Sequence, residues 1–363
     1  MVSCLEDFFG NPSSVHAYGR EAREVVEIAR EQVAAALGAS PSEIVFTGGG
    51  TEADNIALKG VARKLRGNGR HIVTTAFEHH AVLDTAEWLH REGYEVTFVP
   101  VPPSGVLDPG AVAGAVRSDT ILVSAMAVNN EIGTVQPVRA VTAAVKERNR
   151  SVLVHTDAVQ ALGNIPVDLR EWGVDLASFA AHKLGGPKGV GALYVKAGTP
   201  VEAIVHGGGQ ERNLRSGTLN VAGIAGFGAA AEVAAREVSD KAERLLKMRT
   251  QLLEGIQASL PDVRVNGDLD ARVAGNLHIS IPGAEGETLL LLLDQEGIAC
   301  SAGSACQSGA LDPSHVLSAI GVPPEIAKGS VRFSLGWTST EADVDAVIEV
   351  LPQAAGIARK AAG

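Results

Sequence analysis

Lys183 lies where a lysine could bond covalently to a carbonyl compound. It follows an apolar stretch and enters a glycine-rich turn, residues 184–189, before a second apolar stretch, Gly191–Val195. A lysine that a buried strand delivers there is expected to lose part of its solvation, which lowers its pKa and favours Schiff-base chemistry. Lys188 is the competing candidate, but its Pro-Lys-Gly context favours a position near the surface.

Two further segments could hold an anion and a buried charge. Gly48, Gly49 and Gly50 precede Thr51 at the start of a predicted helix, an arrangement that lets backbone N–H groups approach a phosphate. A plain tight turn is the alternative, and the pattern matches neither GxGxxG nor a Walker A sequence. Asp157 follows the apolar run Val152–Val154 and needs a cationic partner if it is buried. A phosphate cup, a buried acid and a buried lysine together predict pyridoxal 5′-phosphate (PLP) as the cofactor.

The segment Cys300–Gly309 is rich in small residues and suits a mobile loop that carries a reactive group. Cys306 lies within it and is the predicted reactive thiol, whereas Cys300 ends an apolar run and is predicted to be a buried core residue. The three cysteines form no disulfide framework, and neither CxxC spacing nor paired histidines indicate a metal site. A reducing cytoplasm is therefore expected.

Short apolar runs alternate with helical patterns over the first half of the chain, which predicts an α/β fold with a mostly parallel sheet covered on both faces. In such sheets ligands bind at the carboxyl ends of the strands, where the candidate residues lie. A first helix is expected at Ala17–Leu37, starting at Asn11–Ser14 and ending at Gly38. The other predicted strands are 44–46, 72–75, 96–99, 121–125 and 152–154, and the other predicted helices are 51–65, 81–91 and 138–148.

The alternation of strand and helix patterns ends at a long helical stretch, 229–253. Strands near 263–265 and 277–281, a helix at 287–295 and a closing helix after Glu341 predict a smaller α+β domain. We expect a large PLP-binding domain at 12–238 and a small domain, formed by 1–11 and 239–363, that carries the cysteine loop.

Composition excludes several classes of protein. The net charge of −11, without a long basic run, argues against nucleic acid as a partner. The longest apolar runs, Val221–Ala231 and Leu289–Leu293, are too short to span a membrane, and the first ten residues contain no signal peptide.

The chain resembles the cysteine desulfurases of the NifS/IscS-like group, in the class V branch of fold-type I PLP enzymes. The resemblance runs from Gly10–His16 nearly to the end of the chain. Its landmarks are 51–55, Glu78-His79, 129–133, 155–160, His182-Lys183, 209–212, 215–218, 303–306 and 332–334.

The resemblance implies removal of sulfur from L-cysteine, giving L-alanine and a persulfide on Cys306. Lys183 would hold the cofactor, Asp157 would pair with its ring nitrogen, and Gln160 would bond its phenolic oxygen. His79 would stack on the ring, move protons and help to activate Cys306. Phosphate ligands would be Gly50, Thr51, His182 and, from the second subunit of a homodimer, Thr218; Asn130 and Arg332 would bind the substrate carboxylate.

The chain departs from the family pattern at several points. Ala180 replaces a usual serine, so one phosphate hydrogen bond is expected to be missing or replaced, and Trp337 replaces a usual basic residue. The sequence also begins just before the Gly10–His16 element, without the family's N-terminal stretch, and ends without the longer tail that in some relatives helps to dock an iron–sulfur scaffold.

Other functions stay open at this stage. A selenocysteine or cystine lyase would not need Cys306, and an inactive interaction-only homologue would bind no PLP. The sulfur acceptor is a protein of unknown identity, since iron–sulfur cluster assembly and other thio-products would start from the same persulfide.

Overall fold

The described part of the chain, residues 1–302 and 314–362 of this computed structural model, divides into two units. Unit 1 comprises residues 1–99, 108–128 and 137–238, and unit 2 comprises 100–107, 129–136 and 239–363. The sequence placed residues 1–11 in the smaller domain, whereas they group with unit 1, where the Met1 side chain lies against Gly226. Residues 100–107 and 129–136 lie inside the predicted large domain, but they belong to unit 2 because backbone hydrogen bonds join them to residues 268–273.

The strands of unit 1 begin and end close to the predicted positions, which confirms the alternating pattern. They are β1 (Ile44–Thr47), β2 (His71–Thr75), β3 (Glu95–Val99), β4 (Thr120–Ser124), β5 (Leu153–Asp157), β6 (Leu176–Ala180) and β7 (Gly191–Val195). Unit 2 contains β8 (Arg264–Val265), β9 (Asn276–Ser280) and β10 (Ser330–Ser334). β10 was not predicted, because its five residues follow a proline-rich helical turn without a clear alternation.

The long helices were predicted from their apolar period, and the short ones were not. The helices are α1 (Val2–Glu6), α2 (Ala17–Ala36), α3 (Gly50–Lys64), α4 (His80–Arg91), α5 (Pro109–Gly114), α6 (Val138–Arg148), α7 (Leu169–Trp172), α8 (Val221–Ser259), α9 (Gly286–Gln295), α10 (His315–Ala319), α11 (Pro324–Ala327) and α12 (Glu341–Ala362). Short 3-10 turns occupy Pro41–Glu43, Ala181–Leu184 and Glu211–Asn213.

The large sheet has the strand order β1-β7-β6-β5-β4-β2-β3. The neighbouring pairs among β6, β5, β4, β2 and β3 are parallel, and β7 is antiparallel to both of its neighbours, β6 and β1. The carboxyl ends of β1, β2, β4, β5 and β6 therefore lie along one edge. Fully buried strand residues and the inner face of α3 form the core beside this edge.

The first long helix begins at Ala17, as predicted, but its capping residue differs from the prediction. His16, rather than the Asn11–Ser14 segment, caps α2, because its Nδ1 accepts the Gly19 N–H at 3.2 Å. Gly38 ends the helix as predicted, with a φ of +64° that favours glycine.

Unit 2 has its own antiparallel sheet, in the order β10-β9-β8, and a core formed with α9, α12 and the second half of α8. No helix in 1–302 or 314–362 has the length and apolar character needed to cross a bilayer.

Candidate active site

Gly48, Gly49 and Gly50 form a cup between the end of β1 and the start of α3. No side chain caps this helix, whose first-turn N–H groups have no intrahelical partners. A Cβ atom on Gly50 would lie 2.5 Å from Cγ2 of Val159, so the cup depends on the missing side chain. The cup opens into a groove of about 820 Å³ that His182 and Lys188 also line. Backbone donors, a helix N-terminus and the side chains of His182 and Lys188 suit a phosphate.

Ala180 lies beside this cup. Its Cβ is 3.6 Å from the position that a Cβ on Gly50 would take, and the residue is fully buried. A methyl group there cannot donate a hydrogen bond, so Ala180 itself does not supply the bond that a serine would.

Asp157 is buried at the end of β5, as the sequence predicted. Its Oδ1 accepts the Val159 N–H at 2.9 Å. Burial raises the pKa of this carboxyl, while the Val159 N–H and the charges of His79 and Lys183 lower it. The structure therefore brings Lys183 and His79 close enough to Asp157 for their charges to act on it.

The predicted burial of Lys183 is wrong. Lys183 and His182 are both exposed, because they lie in the 3-10 turn that follows β6 rather than in the strand itself. Burial, together with the charges of Lys183 and Lys188, still lowers the pKa of His182. An exposed lysine at the edge of the sheet can reach a ligand that lies above the strand ends.

His79 caps α4 through its ring. Its Nδ1 accepts the Ala81 N–H at 3.1 Å, which leaves Nε2 as the protonated nitrogen of the neutral ring. Burial lowers the pKa of His79, and Asp157 acts in the opposite direction. His79 and Thr51 both line a groove of about 460 Å³ between α3 and α4.

The remaining cofactor-side candidates have different exposures. Gln160 is half-buried, three residues after Asp157. Thr218 is exposed in unit 1, in the segment that precedes α8.

Sequence reasoning missed two buried carboxyl groups next to Asp157. Asp54 is 1% exposed and Glu78 is fully buried. The Thr75 hydroxyl and the Met126 N–H donate to Glu78 Oε1 at 2.6 and 2.9 Å. Burial raises the pKa of Glu78 to about 8, and burial followed by the charge of Asp157 raises that of Asp54. In the sequence, Asp54 follows the glycine cup and Glu78 immediately precedes His79. These positions were the available signal.

His155 lies within β5 and is fully buried. Its Nδ1 lies 2.8 Å from the Ser124 hydroxyl, and its Nε2 lies 3.0 Å from the Ser178 hydroxyl and 3.5 Å from Asp54 Oδ1. Burial lowers the pKa of this imidazole to about 3, which keeps it neutral.

In unit 2 the structure joins the two residues predicted to bind a carboxylate. The Arg332 guanidinium donates from Nη1 to the Asn130 carbonyl oxygen at 2.7 Å. The Asn130 Oδ1 atom is buried and accepts no hydrogen bond from any described residue. Arg332 also exchanges two backbone hydrogen bonds with Ser301, which ties the start of the cysteine segment to β10.

Cys300 packs against the core of unit 2, but it is half-buried rather than fully buried as the sequence predicted. Burial and the charge of Asp294 raise the pKa of its thiol to about 11, so it is protonated at neutral pH. Cys306, the predicted reactive thiol, lies outside the described residues, as does the rest of the 303–306 landmark.

Comparison with known proteins identifies the family. The model of the aminotransferase class-V family matches residues 1–347. This chain belongs to that family. The cysteine desulfurase IscS of Dictyoglomus turgidum is 49% identical over 97% of this chain and 89% of that protein. The IscS-like cysteine desulfurase of Mycobacterium tuberculosis is 47% identical over 99% of this chain and 93% of its own length.

Solved structures agree with the family and with the predicted fold. A NifS-like protein superposes with a TM-score of 0.93 at 43% identity, over 98% of this chain and 94% of that chain. A structure described as SspA in complex with cysteine superposes with a TM-score of 0.80 at 33% identity, over 92% of both chains. The predicted resemblance and the α/β fold class of PLP enzymes are thereby confirmed.

Replacing Gly50 with alanine should weaken PLP binding by about tenfold or more, because the new methyl group would displace Val159 and the floor of the cup. Titration of the cofactor-free protein with PLP measures the effect. Gly67→Ala is the control, since no heavy atom lies within 4 Å of its Cβ position. The double variant Gly50→Ala, Val159→Ala should recover most of the affinity; no recovery would exclude this contact as the cause.

Glu78 should make the protein less stable as the pH rises. Its folded-state pKa of about 8 exceeds its ordinary value of 4.5, so its stabilising proton is fully present below 4.5 and is lost as the pH passes 8. Between pH 6 and 8 the wild type should lose about 2 kcal/mol of unfolding free energy more than Glu78→Gln. Urea unfolding at both pH values measures this, with exposed Glu87→Gln as the control; equal losses in wild type and Glu78→Gln would contradict the assignment.

Proposed function

We propose that this chain is a PLP-dependent cysteine desulfurase that transfers the sulfur of L-cysteine to the thiol of Cys306. The observation that carries the proposal is the buried carboxyl of Asp157, which lies near Lys183 and His79 at the same sheet edge as the glycine cup. Near 48% identity to named cysteine desulfurases over almost the whole chain supports the same reaction.

The described residues fit PLP. The glycine cup and the N-terminus of α3 suit its phosphate, with Gly50, Thr51 and His182 as ligands, and Asp157 suits its ring nitrogen. Gln160 would bond its phenolic oxygen. When bound to Lys183, PLP supplies an electron sink that stabilises negative charge on the substrate Cα.

Lys183 and His79 handle protons at this site. The Lys183 amine would take the proton from the substrate Cα, and its exposed position allows the movement that this requires. The neutral ring of His79 presents Nε2 while its Nδ1 is engaged with the Ala81 N–H. The ring is thereby fixed in one orientation for stacking and proton transfer.

Asn130 and Arg332 would bind the substrate carboxylate through a charge-assisted contact. The Cys306 thiolate would then attack the sulfur of the substrate. A sulfur–sulfur bond forms as the Cβ–S bond breaks, the carbon keeps the electron pair and gains a proton, and alanine leaves. Cys300 is unsuited to this role because its thiol is held protonated.

The partners follow from this reaction. L-cysteine is the substrate, a second copy of the chain would complete the site with Thr218, and an acceptor protein would take the persulfide sulfur. A selenocysteine lyase remains the second candidate, separated by its independence of Cys306. A cytoplasmic location suits free-thiol chemistry and stays a prediction.

Cys306→Ser should abolish the release of alanine and sulfide from L-cysteine under reductant, because no thiolate would accept the sulfur. Cys300→Ser is the matched control and should keep nearly full activity. Quantification of both products over the same time course makes the test. Equal activity of the wild type and Cys306→Ser would instead establish a PLP lyase without a thiol relay.

His79→Asn should slow persulfide formation by about tenfold or more while preserving the cap of α4, since asparagine is a good N-cap acceptor. His79→Ala should show the same slowing and an additional loss of about 1 kcal/mol of stability. Persulfide yield after a single turnover and the thermal melting temperature separate the two effects. An unchanged persulfide yield in His79→Asn would remove His79 from the chemistry.

A further inference from the structure

The segment before α8 closes on itself to form an arm, residues 205–218. Val205 pairs with Arg215 in a short parallel bridge, and the Ser216 N–H donates to the Val205 carbonyl oxygen at 3.3 Å. The Gly217 N–H donates to Gln210 Oε1 at 2.8 Å. Thr218, at the end of the arm, is exposed.

A buried ion pair ties the arm to α2, and a backbone N–H ties it to β1. The Arg30 guanidinium donates to both oxygens of Glu211, at 2.7 and 2.8 Å, and the Phe46 N–H donates to Glu211 Oε2 at 2.7 Å. Both side chains of the pair are at most 5% exposed. Arg212 adds a hydrogen bond to the Ile44 carbonyl oxygen.

The arm residues that make these contacts have an unusual backbone conformation. Glu211, Arg212 and Asn213 all have left-handed φ values, of 46°, 55° and 65°. Residues other than glycine rarely adopt this conformation, and strain of this kind persists only where surrounding contacts determine the conformation.

A second ion pair ties the arm to the glycine cup. Arg215 donates from Nε to Glu52 Oε1 at 2.7 Å and from Nη2 to Oε2 at 3.3 Å. The same Glu52 Oε2 accepts the Gly48 N–H at 2.5 Å. Arg215 thus offsets a carboxylate that would otherwise repel a phosphate in the cup, and it fixes the carboxylate that orients the backbone of the cup.

We propose that Arg215 is a positioning residue for two cofactor sites at once. Through Glu52 it shapes the cup of its own subunit, and through the two residues that follow it sets Thr218, which serves the cofactor phosphate of the second subunit. This inference rests on the proposed function, in which Thr218 acts across a homodimer.

Mixed dimers test this double role. Wild-type and Arg215→Met subunits with different affinity tags are co-expressed, and dimers that carry both tags are purified, freed of PLP and titrated with PLP by absorbance. Both sites should bind about tenfold more weakly than those of the wild-type dimer. A mixed dimer with Thr218→Ala in one subunit should have one weakened site and one of wild-type affinity.

One site of wild-type affinity in the Arg215→Met mixed dimer would overturn the inference, because Arg215 would then serve a single site. Arg236→Met, an exposed arginine on α8, is the control and should bind PLP as the wild type does. If Arg215→Met fails to fold, Arg215→Lys replaces it, since lysine keeps the charge but loses the two-pronged contact. Alanine release by the wild-type dimer is measured separately, so a failure of the desulfurase function is distinguishable from a failure of this inference.

Discussion

Three buried carboxyl groups lie at the same end of the large sheet, and burial together with their mutual repulsion limits how many of them can carry a charge. Asp54, Glu78 and Asp157 are all buried, which raises the pKa of each. The charge of Asp157 raises the pKa of both others further, and that of Glu78 raises the pKa of Asp54. Glu78 keeps its proton at neutral pH, and His155 stays neutral between two serine hydroxyls. Asp157 has His79 and Lys183 nearby, each of which lowers its pKa when charged, so it is the group best placed to be ionised.

This division of roles depends on strand topology. β1, β2, β5 and β6 end along one edge, and each end contributes a different chemical group to the site. The glycine cup comes from β1, the Glu78-His79 pair from β2, Asp157 from β5 and Lys183 from β6. A single ionised acid within this edge would give a protonated ring nitrogen one defined partner, as the proposed electron sink requires.

The sequence predicted the fold class, the larger elements and the positions of Asp157 and the cup, because apolar period and glycine spacing are local signals. Sequence reasoning was wrong or incomplete for the features that depend on tertiary packing. Lys183 was expected to be buried because the strand before it is apolar, but the chain leaves the sheet one turn earlier. Asp54 and Glu78 were missed as a group because tertiary packing, with α3 against β5 and β2 beside β4, and not sequence spacing, brings them to Asp157. β10 and the short helices were missed because so few residues define no period.

The left-handed run at Glu211–Asn213 also has an evolutionary consequence. Its conformation depends on Arg30, which lies 181 residues earlier in the chain than Glu211. Loss of either partner would leave an unpaired charge buried in the core of unit 1, so neither residue can be substituted without the other. Homologous sequences should therefore exchange these two positions together, and glycine at one of the three strained positions should accompany any lineage that has lost the pair.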